Sequence, residues 1–91
     1  MIKKNLKKPF FSIITVVKND QSNIQKTIKC IIAQSYTNFE YIIIDGKSED
    51  NTIKKINVYK KKISHILSER DDGIYFAMNK GIKLAKGKVL L

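Results

Sequence analysis

The sequence predicts an α/β fold of three layers, with elements alternating as βαβαβαβ around a mostly parallel sheet. Three observations predict it. Short β-branched apolar runs alternate with stretches of helical periodicity. The runs are nearly continuous in apolar character, as in strands buried on both faces. Strand starts fall near positions 11, 39, 64 and 88, close to the spacing that βαβ units need.

The first strand is read at Phe11, Ser12, Ile13, Ile14, Thr15, Val16 and Val17, and a turn follows at Lys18, Asn19 and Asp20. Ser22 with Gln25 three residues on has the form of a capping box. Ile24, Ile28, Ile31 and Ile32 then form the stripe of an amphipathic helix, and Cys30 is read as part of its core. The second strand is expected from Phe39 to Ile44, followed by a turn at Asp45, Gly46, Lys47 and Ser48, with Asp50 or Ser48 as the next helix cap. Ile53, Ile56, Tyr59 and Ile63 mark the buried side of a second, lysine-covered helix. Ile66 and Leu67 fall in a short third strand, with His65 read as structural. Ile74, Ala77, Met78, Ile82 and Ala85 stripe a third helix, Gly87 is read as its C-cap, and Val89 opens a fourth strand.

The 91 residues make one domain near the low end of the size that supports a core: a basic tail at 1–9 and a folded part at 10–91. One cysteine allows neither an intrachain disulfide nor a cysteine-based zinc site. No apolar run reaches the length of a membrane span and no leader pattern follows the basic start, so the expected location is the cytoplasm. The net charge of +10 comes from seventeen lysines and one arginine. Such a surface suits nucleic acid, an anionic membrane or phosphorylated ligands. Specific nucleic-acid readers, however, lean on arginine and on interleaved aromatics, so no specific nucleic acid is expected. The lysines read first as a solvated face.

Of eight acidic residues, seven follow a predicted strand; only Glu40 lies within one. In a parallel sheet the seven share the carboxyl edge, where ligands bind. Helix capping explains part of this, but less well Asp45, directly at a strand end. No GxGxxG turn and no P-loop is present. An acidic rim would repel a diphosphate unless a divalent cation lay between them.

Three segments then match something known. Phe11-Ser12-Ile13-Ile14-Thr15-Val16-Val17-Lys18-Asn19 resembles the first strand and loop of the family-2, inverting glycosyltransferases. Gln34-Ser35-Tyr36-Thr37-Asn38-Phe39-Glu40-Tyr41-Ile42-Ile43-Ile44-Asp45-Gly46-Lys47-Ser48 is similar to their "Q-S/T-Y-x-N-x-E-x-I-I-I-D-G-x-S". Ser68-Glu69-Arg70-Asp71-Asp72-Gly73-Ile74-Tyr75-Phe76-Ala77-Met78-Asn79-Lys80-Gly81 resembles "S-E-x-D-x-G-I-Y-D-A-M-N-K-G", typical of a subgroup that builds bacterial surface polysaccharides. The resemblance implies a Rossmann-like GT-A half and a nucleotide-sugar donor, often UDP-linked, lying across the strand ends. It implies that Thr15, Val17 and Asn19 line the base and ribose, that Asp45 bonds the base edge, that Asp71 lies near the ribose or sugar, and that Asn79 shapes the donor pocket.

The resemblance also implies Mg²⁺ or Mn²⁺ as cofactor, a glycan or lipid-linked acceptor, and peripheral contact with the inner membrane face. Three positions depart from the pattern: Phe76 where an acid is usual, Lys88 after Gly87, and Lys47 for a common glycine. The family's metal-binding Asp-x-Asp and its catalytic base come later than Leu91, so neither metal ligand nor catalytic residue is assigned here. The expectation is thus a glycosyltransferase by family, with this stretch alone inactive. Two alternatives stand beside it: a truncated remnant with weak nucleotide binding, and a basic module for membrane or nucleic acid.

Overall fold

A computed structural model describes residues 11–34, 38–70 and 73–90. The basic tail at 1–9 lies outside the described residues, as does Asp71. The strands are β1 (Phe11–Val17), β2 (Phe39–Asp45), β3 (His65–Ser68) and β4 (Lys88–Leu90). The helices are α1 (Ile24–Ile32), α2 (Thr52–Asn57) and α3 (Ile74–Leu84), with a 3-10 turn at Lys60–Lys62. The four strands form one sheet in the order β3-β2-β1-β4, and every pairing is parallel. The α/β expectation holds, and the sheet is wholly rather than mostly parallel.

The register explains the three layers. Phe11 lies opposite both Phe39 and Lys88, and Val17 opposite Asp45. Alternate residues of a strand face opposite sides. Tyr41, Ile43 and Val17 therefore pack with Ile24 and Ile28 of α1, Ile56 of α2 and Ile63. Ile14, Ile42 and Ile44 face the other way, onto Ala77 of α3. Ile42, Ile43 and Ile44 are fully buried, which explains an apolar run without alternation: β2 has a strand on each edge and helices over each face. Each such isoleucine contributes about 1.5–3 kcal/mol through burial.

At Gly81 the third helix comes unusually close to the sheet. A Cβ there would sit 2.7 Å from Cγ2 and 3.1 Å from Cδ1 of Ile14. Only a residue without a side chain lets α3 lie this near to β1.

Several local expectations are corrected. No Ser22–Gln25 capping box forms: the Asp20 carbonyl accepts from the amides of Asn23 and Ile24, so a turn precedes α1 and moves its start past Ser22. Gly87 is not the cap of α3, because the chain leaves the helix in extended conformation at Ala85. The Gly87 amide instead donates to the Ser12 hydroxyl at 2.8 Å. Cys30 is exposed, since it stands about 200° around α1 from the buried Ile28. Ile82 is 46% exposed, because the face of α3 toward the sheet runs through Ala77, Gly81 and Leu84. The second helix is shorter than its stripe: α2 ends at Asn57, and Ile63 reaches the core from beyond the 3-10 turn. Neither proposed cap of α2 takes the N-cap position, which falls to Asn51 because the helix starts only at Thr52; Asp50, one residue earlier, accepts from the Thr52 amide through Oδ1 at 2.9 Å.

Candidate functional site

The order β3-β2-β1-β4 brings the carboxyl ends of β1, β2 and β3 side by side, and the loops that follow them enclose a cleft of about 690 Å³. Lys18 and Asn19 line it from the first loop. Gly46, Lys47, Ser48 and Glu49 line it from the second, and Ser68, Glu69 and Arg70 from the third. In an open parallel sheet this edge is where loops are free to present donors and acceptors to a ligand.

The first two loops are tied to each other. The Asn19 amide donates to the Ser48 hydroxyl at 2.7 Å, and the Asn19 carbonyl oxygen Oδ1 accepts from the Glu49 amide at 2.8 Å. Asp20 donates its amide to Thr52 Oγ1 at 2.7 Å, while Gln21 and Asn51 are joined through the Gln21 side chain at 3.1 Å. Asn19 (φ 51°) and Lys47 (φ 64°) are the positive-φ non-glycine residues of the described chain, and both line the cleft. Asparagine tolerates that region because its short polar side chain bonds locally; lysine has no such compensation. The rim is thus built in a conformation its neighbours enforce.

Asp45 holds the cleft floor. Its side chain is fully buried, and its carboxylate accepts from the Ser48 amide at 2.9 Å, from the Ser48 hydroxyl, and from the Ser68 hydroxyl at 2.8 Å. One carboxylate thereby fixes the loop after β2 to the end of β3. The backbone repeats the tie, with the Glu69 amide on the Asp45 carbonyl at 3.0 Å and the Gly46 amide on the Val17 carbonyl at 2.9 Å.

Of the described strand-end acids, Asp45, Asp50 and Glu69 are tied to partners within the protein, while Asp71 and Asp72 of the third loop lie outside the described residues. Asp45 is buried, and Asp50 accepts from Thr52 and from the Gln21 amide. The hydroxyl of Thr52 foremost, against the opposing effect of burial and with help from those amides, holds the Asp50 carboxyl below its ordinary value. Glu69 pairs with Lys80 at 2.8 Å. Of the charged residues lining the cleft, Lys18, Lys47 and Arg70 oppose Glu49 and Glu69. Asp45, Asp50 and Glu69 are thus bound within the protein, none of them as a side-chain cap of a helix, and the described lining holds three cations to two carboxylates.

Of the residues expected at the site, Asn19 lines the cleft and Asp45 supports it. Thr15 and Val17 stand on β1 with their side chains in the layer beneath α1 and α2. Thr15 Oγ1 is 2.9 Å from the Tyr41 hydroxyl, and Val17 is a core residue. Asn79 is half-buried on α3, apart from the cleft lining. Lys18, Ser48, Ser68 and Arg70 were not singled out from the sequence. Their signal was position, each lying at or just after the end of a strand. Phe76, at the departure from the family pattern, is exposed in the first turn of α3. Among the described residues no three His, Cys, Asp or Glu side chains gather as a metal site, so these residues do not by themselves fit the divalent cation that the resemblance implies.

A second polar cluster lies at the opposite, amino edge. Glu40, 6% exposed, accepts from the Ser12 hydroxyl at 2.5 Å and from the Lys86 amide, and its Oε1 is 3.9 Å from His65 Nε2. Burial pushes the Glu40 carboxyl up, but the Ser12 hydroxyl, the Lys86 and Gly87 amides and the nearby imidazole together bring it below its ordinary value. The cluster joins β1, β2, β3 and the approach to β4.

A parallel sheet in this order, helices on both faces and a polar cleft at the carboxyl edge define a Rossmann-like half of the GT-A type. Residues 12–91 match the model of Glycosyl transferase family 2, and the chain belongs to that family. An uncharacterised glycosyltransferase of Mycobacterium tuberculosis is 39% identical over 83 residues, covering 90% of this chain and 32% of the relative. A PGL/p-HBAD biosynthesis glycosyltransferase of Mycobacterium bovis is 34% identical over 86 residues, covering 91% and 34%. The chain thus spans about a third of the length of these curated relatives. Among solved structures, S. aureus TarS 1–349 in complex with UDP-GlcNAc aligns with a TM-score of 0.81 at 25% identity, over 89% of this chain and 25% of that one. The mannosyltransferase PcManGT of Pyrobaculum calidifontis, in complex with GDP-Man and Mn²⁺, aligns with a TM-score of 0.80 at 21% identity, over 91% and 26%. At that identity the likeness shows the fold alone.

Proposed function

We propose that this chain holds the nucleotide-sugar donor of a glycosyltransferase that passes the sugar to a growing glycan or lipid-linked acceptor in polysaccharide biosynthesis, in the cytoplasm at the inner membrane face. The observation that carries the reading is the cleft at the carboxyl edge, lined from three strand-end loops, with Lys18, Lys47 and Arg70 among its described lining residues. A nucleoside diphosphate, UDP among them, offers such a cleft a planar polar base and an anionic tail. Asn19 and the loops anchored by Asp45 would meet the base and ribose; Lys18, Lys47 and Arg70 would face the phosphates. Thr15 and Val17 serve this site by holding β1 in place beneath it. Asp71 and Asn79 keep, by resemblance, their roles near the ribose or sugar and in the donor pocket.

In an inverting transfer the acceptor hydroxyl attacks the anomeric carbon, the bond from that carbon to the phosphate oxygen breaks, and the nucleoside diphosphate leaves. The hydroxyl proton passes to a general base. None of the described residues is assigned as that base. A divalent cation would supply charge neutralisation at the leaving diphosphate, and none of the described residues is assigned to hold it.

The reading is tested by titrating UDP, UDP-GlcNAc and GDP-Man into the ¹⁵N-labelled chain, with and without Mn²⁺. The expected result is saturable shift of the amides at 18–19, 46–49 and 68–70. Absence of binding by every nucleotide up to millimolar concentrations, or shifts confined to other residues, would overturn it.

A further inference from the structure

The described acidic side chains are sorted along the strand direction, whereas cations stand at both edges. The described acids Asp20, Asp45, Glu49, Asp50 and Glu69 all lie at the carboxyl edge, at the end of a strand or in the loop after one. Among the described residues the amino edge carries exposed lysines and no exposed acid. Lys60, Lys61 and Lys62 form the turn that leads into β3, Lys83 stands in the last turn of α3, and Lys86 and Lys88 lead into and open β4. All six are exposed. The one described acid at this edge is Glu40, which is buried and already accepts from Ser12 and the Lys86 amide. The lysines before β3 and at β4 are three strand spacings apart, about 14 Å, so they form a band across the edge and not a single cluster. An apolar residue accompanies the band: Val58, 70% exposed, sits between α2 and the lysine turn.

We infer that the amino edge is a docking surface for an anionic phospholipid bilayer. A band of exposed lysines without exposed carboxylates, flanked by a bare apolar side chain, has the chemistry of an interfacial site. Nucleic acid fits it less well. Arg70, the sole arginine, lies at the other edge, as does the exposed ring of Phe76. Docked this way, the chain turns its carboxyl-edge cleft away from the lipid, because the two edges are opposite ends of the same strands. This inference stands independently of what the cleft binds.

The test is sedimentation of the 91-residue chain with vesicles of phosphatidylcholine, alone or mixed with phosphatidylglycerol. Binding is expected only to the mixed vesicles, falling steeply between low and high salt. The Lys60→Glu/Lys61→Glu/Lys62→Glu variant, its fold checked by far-UV circular dichroism, should bind at least about tenfold more weakly. Because the chain lacks tryptophan, a Val58→Trp variant reports contact directly. Its emission should shift to the blue with mixed vesicles and stay unchanged with phosphatidylcholine. The inference is overturned if the folded triple variant binds as tightly as the parent, if the tryptophan emission does not move, or if duplex DNA at equal phosphate binds the chain more tightly than the vesicles do.

Discussion

Replacing Gly81 by alanine should destabilise the fold, although alanine is the better helix former. Within α3, at the start of its last turn, the exchange by itself favours the helix by up to about 0.8–1 kcal/mol. Against this stands the contact with Ile14. The added methyl would lie 2.7 Å from Cγ2, a group fixed directly to the Ile14 Cβ and unable to swing aside like a chain end. Ile14 is 5% exposed on a strand paired along both edges, so its backbone has nowhere to retreat. Such overpacking costs about 1–3 kcal/mol, leaving a net loss of roughly 1 kcal/mol. In a domain of this size that lowers Tm by about 4–8 °C. Urea unfolding followed by circular dichroism measures it, with Gly81→Ala, Ile14→Ala and the double variant closing a cycle. Ile14→Ala should cost less in the Gly81→Ala background than alone, because the new methyl occupies vacated space. A Gly81→Ala chain as stable as the parent, with additive effects in the cycle, would refute the close-packing argument.

The remaining predictions concern charge, strain and exposure. Because the folded Glu40 carboxyl titrates below its usual value of 4.5, its contribution is complete above that pH and is lost as pH falls through the lowered value. Glu40→Gln should lose about 1 kcal/mol at neutral pH and flatten the acid limb of a Tm-versus-pH curve; an unchanged limb would count against the network. Lys47→Gly should stabilise by about 1 kcal/mol, by relieving a left-handed lysine, yet weaken UDP binding measured by calorimetry. If affinity stays level, Lys47 has no part in holding the nucleotide. Cys30 should react with a thiol reagent in the native state at nearly the rate of the unfolded chain, and strong protection would contradict its exposure.

Much of this was legible in the residues. The apolar run at Ile42, Ile43 and Ile44 signals a strand covered on both faces, and β2 is that strand. The expected start near 64 falls one residue before β3, and those near 11, 39 and 88 coincide with β1, β2 and β4. Legibility failed where a side chain's environment depended on another element. Cys30 was assigned to the core because it stood among isoleucines, but the angle around α1 decides exposure. Gly87 looked like a helix cap, yet its amide and that of Lys86 are drawn to Ser12 and Glu40, 75 and 46 residues distant. Asp45 was noticed as a strand-end acid; that its carboxylate ties Ser48 to Ser68 depends on the pairing of β2 with β3.

By itself, then, the sequence determined the kind and order of elements, the parallel sheet and the family, because hydrophobic period, strand spacing and motif are properties of neighbours along the chain. The tertiary structure decided the strand order, the loops that enclose the cleft, the ties of Asp45 beneath it and the band of lysines on the opposite edge. These arise from groups tens of residues apart that meet only when the strands pair, and no local pattern encodes which pair meets which.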